Sequence, residues 1–202
     1  MPAAPDPLVR RLGRPRSADA ERAIIDATLQ QLLEQGYDAM SVEGVAARAG
    51  VGKTTIYRRW PSKQAVVAAA LGTLTASIER LPDSGDLRAD LLTVMHAFVA
   101  SSSASVIGPA FMRVVSASLN NPEFMAIFTA NTIAPRRATA GEVLRRAQAR
   151  GQLRAEVDIE LVVDTLAGWF LYQTLVGAPG ELPSLDGAEQ AVTLLLEGAL
   201  AR

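Results

Sequence analysis

The sequence predicts an all-α protein, and three observations carry that expectation. Apolar residues recur three and four positions apart in segment after segment from Ile24 to Leu200. No segment alternates apolar and polar residues with period two, and hairpin signals are absent. Ser, Asp and Asn at helix starts, with Gly and Pro at helix ends, punctuate the chain. At 202 residues, 49% hydrophobic and 20% charged, the chain can bury a sizeable core.

Residues 1–16 are Pro-rich and then basic, a composition expected to stay disordered in isolation. Ser17 is placed as the first N-cap; Ile24, Ile25, Leu29, Leu32 and Leu33 follow at helical spacing until Gly36. Ser41 caps a short helix with Val42, Val45, Ala46 and Ala49 on one face. Gly50-Val51-Gly52 is a tight turn, Lys53–Trp60 a second short helix ended by Pro61, and Ser62 caps a longer helix from Lys63 to about Leu81. Helices are then expected over Leu87–Ala100, Pro109–Leu119, Pro122 to about Arg150 with a kink at Pro135, Ile159–Val176 behind an Asp158 cap, and Asp186 to about Leu200.

Composition narrows the function. There is no cysteine and one histidine, His96, so disulfides, thiolate catalysis and Cys- or His-rich metal sites are excluded within one chain. His96 lies in an apolar helix and reads as structural rather than as a ligand. No Gly-rich phosphate loop, H-E-x-x-H or paired-carboxylate motif supports an enzyme, and neither a cofactor nor a metal is expected. Met1–Pro15 holds four prolines and no apolar core, so no secretory signal is read, and Leu91–Met112, though free of Asp, Glu, Lys and Arg, is broken by Gly108-Pro109 and reads as two buried helices. The expected location is cytoplasmic, with no membrane partner. The net charge is −1, but residues 1–63 hold ten bases against seven acids and the remainder ten against fourteen. A basic head on an acidic body is the asymmetry of a DNA-reading module attached to something else.

Residues 41–60 carry the chemistry. Two short helices joined by a Gly-containing turn make a helix-turn-helix. Ile56 and Trp60, four apart, face inward and leave Lys53, Thr54, Thr55, Tyr57, Arg58 and Arg59 outward. Arginine can read guanine, lysine pairs with phosphate, and a hydroxyl or aryl group meets phosphate or a thymine methyl. A helix-turn-helix that only organises protein assembly would not need those three outward bases. Arg14 and Arg16 flank Pro15 in a pattern that suits a narrow minor groove and equally suits a solvated tail.

The stretch 18–66, with V-A-A-R-A-G-V-G-K-T-T-I-Y-R-R-W-P-S-K-Q-A-V at its end, resembles the DNA-binding domain of the tetracycline-repressor family. The motif is long and specific and covers about a quarter of the chain. Residues 122–176 resemble a C-terminal domain of that family more loosely, through P-E-F, A-P-R-R and D-x-E-L-V-V-D-T-L-A-G. The resemblance implies a flexible arm over 1–16, a three-helix DNA-binding domain over 17–62, and a helical bundle over 63–202 for ligand binding and dimerisation. It implies a repressor that leaves double-stranded operator DNA when a small, largely apolar effector binds. By matched position, Thr54, Thr55, Tyr57, Arg58 and Arg59 touch DNA, and Ser41 and Lys63 meet phosphate. Position 59 is commonly His or Tyr in the family and is Arg here, so base preference does not transfer. Glu43 either accepts from a cytosine or serves the helix dipole, and the second reading is preferred.

An effector cavity is expected among Met95, Phe98, Phe111, Met112, Phe124, Phe128, Trp169 and Tyr172. Arg136 and Arg137 read as a solvated face. Ile159–Val176 is apolar nearly all round and Asp186–Leu200 nearly so, which calls for cover on two sides. A twofold partner meets that need in a four-helix interface, with Leu161, Phe170, Val192, Leu195 and Leu196 as the expected contacts of a homodimer. A fully buried central helix in a monomer is the alternative.

Overall fold

A computed structural model describes residues 16–74, 82–104, 111–178 and 181–198. Among the described residues every regular element is helical: α1 (Arg16–Ala39), α2 (Val42–Ala49), α3 (Lys53–Tyr57), α4 (Lys63–Gly72), α5 (Leu87–Ala104), α6 (Phe111–Leu119), α7 (Pro122–Phe128), a π-helical turn (Thr129–Ile133), α8 (Ala134–Ala149), α9 (Ile159–Val176) and α10 (Leu185–Glu197).

Caps set the boundaries. The side-chain oxygens of Ser41, Ser62, Asn121, Asp158 and Ser184 each accept from a backbone N–H in the first turn that follows. Four expectations need correction. α1 already begins at Arg16, so Ser17 is not its N-cap. The second helix of the pair ends at Tyr57 rather than Trp60, where Arg59 and Trp60 both donate to the Ile56 carbonyl. Pro135 does not kink one long helix. The chain widens into the π turn before it, and Pro135 sits in the first turn of α8, where its missing N–H costs nothing. Gly36 interrupts α1 at φ 78°, ψ 173°, the expected stop, after which one further turn leads to Ser41. α4 ends at Gly72, with Thr73 and Leu74 in a turn, rather than running on to about Leu81; residues 75–81, the helix start at Pro109 and residues 199–200 lie outside the described residues.

Two apolar cores organise the molecule. The first joins α1–α4 around Ile24, Val45, Ile56, Val66, Val67 and Leu71, and draws in Val114, Phe124 and Phe128 from α6 and α7. The helix-turn-helix therefore shares its core with the body instead of swinging from a linker. The second core joins α5, α8, α9 and α10 around Leu91, Leu144, Val163, Leu166, Ala188 and Val192. Each fully buried Leu, Ile or Phe in these cores contributes about 1.5–3 kcal/mol. Among the described residues α9, with a mean hydropathy of 1.2, is the one helix long and apolar enough to cross a membrane, but only 22% of it is buried.

Candidate nucleic-acid interface and cavity

The recognition surface is built from α2 outward. Gly44 lies against α1 so closely that a β-carbon there would stand 2.3 Å from the Gln31 amide nitrogen. The buried Gln31 accepts from the Ser41 N–H at 3.4 Å, which fixes the start of α2. Gly50 closes α2 in the left-handed conformation, and α3 follows with Ile56 fully buried beneath it. That anchor leaves Lys53, Thr54, Tyr57 and Arg58 exposed, with Thr55, Arg59 and Trp60 half-buried.

Charge on this face is partly spoken for. Lys53 pairs with Glu43 in the first turn of α2, 5.6 Å from the Tyr57 ring. Their hydrogen bond lowers the carboxyl of Glu43 and raises the ammonium of Lys53 from their ordinary values. Arg59 pairs with Glu21 of α1. Arg58 makes no side-chain hydrogen bond or ion pair among the described residues. The Ser41 hydroxyl accepts from Gly44 N–H at 3.1 Å and keeps its own proton for donation. Lys63 donates to the Asp38 carbonyl at 3.3 Å and sits 4.4 Å over the Tyr37 ring, beside the Ser62 cap. Arg14 and the side chain of Arg16 lie outside the described residues.

Where the head meets the body, Tyr37 stacks on Phe124 with ring centroids 5.1 Å apart. Its hydroxyl donates to Glu123 at 2.9 Å, Gln64 donates to the other Glu123 oxygen at 2.8 Å, and Asn121 donates to Asp38 at 2.6 Å. Burial first, then the Glu123 carboxylate, pushes the Tyr37 hydroxyl up to about 12. Nothing in the helical periodicity announces this junction, because its partners are 59 to 86 positions apart in the chain.

Between the two cores lies a cavity of about 370 Å³, within the size range of small-molecule pockets. Met95, Phe98 and Phe128 line it as expected, joined by Leu91, Met125, Leu166 and Phe170. Phe98 meets Phe170 edge-on at 4.4 Å. Phe111 and Met112 have side chains outside the described residues. Three expected lining residues are elsewhere. Phe124, 1% exposed, is consumed by the first core against Tyr37. Trp169 lies against Gly187 in a shallow groove between α9 and α10. Tyr172 points outward from α9.

Arg136 is not on a solvated face. Its guanidinium is in the cavity wall, 4.0 Å from the Phe98 ring centre, and donates to the Leu74 carbonyl at 2.9 Å. Burial pulls it down to about 10. Arg137, one position on and so about 100° round the helix, also borders the cavity but pairs with Glu160 and Asp164 of α9. Adjacent residues about 100° apart can share a solvated face or be divided between two environments, so the Arg136–Arg137 pair by itself did not announce which of them is buried. His96 is half-buried, with Nε2 3.7 Å from the Glu189 carboxylate and without a hydrogen bond.

The expected dimer contacts are redistributed. Leu161 is exposed, but Phe170 and Val192 are 1% and 0% exposed, the former in the cavity wall and the latter in the second core. Leu195 and Leu196 pack half-buried against that core. The apolar side chains left outside are Leu161, Leu171, Tyr172, Leu175 and Val176 on α9 with Leu185 and Leu194 on α10. Apolar residues all round a helix do not reveal its rotation; contacts with α8 and α10 decide it.

Residues 24–70 match the domain described as bacterial regulatory proteins, tetR family, and residues 81–195 match the tetracyclin repressor-like C-terminal domain. The chain is 33% identical over 167 residues to the uncharacterized HTH-type transcriptional regulator YdeS of Bacillus subtilis, covering 81% of this chain and 82% of that one. It is 31% identical over 170 residues to the DNA-binding transcriptional repressor TetR of Mycobacteroides abscessus, covering 83% and 86%. The crystal structure of the TetR family transcription regulator SCO0332 superposes with a TM-score of 0.65 at 32% identity, over 91% of this chain and all of that one.

Proposed function

Because the chain belongs to the tetR family of bacterial regulatory proteins, and is thus a DNA-binding transcriptional regulator, we propose that it is a repressor which binds operator DNA as a homodimer and leaves it when a small, largely apolar effector fills the cavity. It acts by binding rather than catalysis, in the cytoplasm where its operator is. The observation that carries the reading is the exposed Lys53–Arg58 face, held rigid by the burial of Ile56. Arg58, exposed and without an ion-pair partner among the described residues, is the base reader, and Arg59 must first leave Glu21 to reach DNA. Lys53 and Thr54, at the start of α3, meet phosphate. The exposed Lys53–Glu43 pair costs little to break on DNA. Lys63 leaves the Asp38 carbonyl for a phosphate at the start of α4.

The dimer is formed through the outward stripe Leu161, Tyr172 and Leu175 with Leu194 of α10. Stability requires cover for that stripe, and a second copy supplies it twice over by symmetry. The two recognition helices then fall roughly one DNA turn, ~34–36 Å, or a multiple of it, apart.

The test starts from a random duplex library, from which the wild type selects its sequence. On that duplex, R58A is expected to lose about 1–3 kcal/mol and to relax preference at one base. K63A is expected to weaken all sequences alike and to reduce the salt slope by about one. Anisotropy titrations at several salt concentrations measure both. A wild type that enriches no sequence, or whose binding ignores salt, overturns the reading.

A further inference from the structure

We propose that the effector is an amphipathic anion, whose apolar body fills the cavity and whose oxyanion head group is held by Arg136. This deepens, and rests on, the effector reading above.

The cavity wall among the described residues contains two charged side chains, both arginine, and no carboxylate. Arg137 is neutralised by Glu160 and Asp164 on the far side of its helix. Arg136 has no carboxylate partner among the described residues; its neighbours are a carbonyl and a phenyl ring. A guanidinium presents five N–H donors in a planar fork matched to a carboxylate. The Leu74 carbonyl occupies one Nη2 donor. A cation taken out of water with its donors unfilled is costly, and it becomes favourable once an anion arrives in the same low-dielectric space. Burial lowers the group only to about 10, so it is charged at neutral pH.

The other polar groups of the wall have no such capacity to spare. The Ser118 hydroxyl donates to Val115 at 2.7 Å, Thr139 to Pro135 at 3.0 Å and Thr132 to Leu71 at 3.5 Å, all backbone carbonyls. These hydroxyls keep lone pairs but not protons, so they offer acceptors to a ligand. An anion needs donors, and the side chain that has them is Arg136. The surrounding Met95, Phe128 and Leu166 set the apolar end. Arg136 also holds Leu74, two residues past the end of α4, so the head group engages the residue next to the helix leading back to Lys63.

The probe is N-phenyl-1-naphthylamine, a neutral fluorophore, displaced from the full-length protein by decanoate or by decan-1-ol, which differ at the head group. Wild type is expected to release the fluorophore to decanoate at a concentration at least tenfold below that for decanol. R136Q is expected to bind the fluorophore and decanol as before and to lose the preference for the acid, while R136K keeps part of it. Circular dichroism establishes that the variant is folded; should R136Q not fold, R136M, which removes the buried charge and keeps the volume, is held to the same criterion. Equal displacement by acid and alcohol in wild type, or an acid preference that survives the loss of Arg136, overturns the anion proposal and leaves an apolar effector standing. Failure of the fluorophore to bind, or its equal binding by a cavity-filling A97W variant, overturns the effector reading and this proposal together.

Discussion

Gly50 sits at φ 65°, ψ 31°, where only glycine rests without strain, and its N–H closes α2 onto the Ala46 and Ala47 carbonyls. A β-carbon built there meets nothing within 4 Å. The cost of G50A is therefore conformational alone, about 1–2 kcal/mol. Urea denaturation monitored by circular dichroism is expected to show that loss at unchanged slope; an unchanged midpoint would show that the turn relaxes freely. Gly44 is the opposite case, where space rather than φ is at issue, because a β-carbon there would displace the amide end of the Gln31 side chain. At this scale the sequence already distinguished inward Ile56 from outward Arg58. It misjudged Arg136, because a solvated and a buried arginine are the same letter until the helix packed against it is known.

At the level of elements, the junction of α1, α4 and α7 is where the helix-turn-helix head is tied to the C-terminal body. Tyr37, Gln64 and Asn121 close it around Glu123 and Asp38. The raised Tyr37 value has a definite consequence. The folded chain prefers the neutral hydroxyl, so this stabilisation is complete below the ordinary tyrosine value of 10 and is lost as pH rises from 10 through about 12. Comparing urea midpoints of wild type and Y37F at pH 8, 10 and 11 isolates it: the gap between them is expected to be constant from 8 to near 10 and to shrink by 11. A gap that stays constant throughout would mean that the Tyr37 hydroxyl is not held buried against Glu123 in solution. The π turn at Thr129–Ile133 belongs to the same scale. It places Thr132 and Ile133 in the cavity wall and leads into α8, whose Arg136 lies in that wall and whose Arg137 borders it while pairing with Glu160 and Asp164.

For the molecule as a whole, the unresolved demand is the apolar surface of α9 and α10. Leu194 is 57% exposed and Leu195 is packed against the second core. L194E is therefore expected to leave the protomer folded and shift it from dimer to monomer, seen as a halved mass by sedimentation equilibrium at micromolar concentration. L195E is expected to lower stability as well, because it places a charge against the core of its own chain. A monomeric wild type would remove the dimer from the proposed function. Operator affinity is expected to fall with L194E even though the recognition surface lies in the other half of the chain, since half-site spacing needs both copies.

The sequence by itself determined the helical class, the Ser41, Ser62 and Asp158 caps, and the helix-turn-helix with its exposed basic face. Those features are local: hydrogen bonds span three or four residues, and the apolar period shows which face of a half-exposed helix is buried. Only the tertiary structure decided which residues bound the cavity, which apolar side chains on α9 and α10 remain outside, and that Arg136 is inside. A helix apolar all round has no phase to read. The fate of Phe124, Phe170, Val192 and Arg136 depends on elements far away in the chain, whose contacts are a property of the packed molecule.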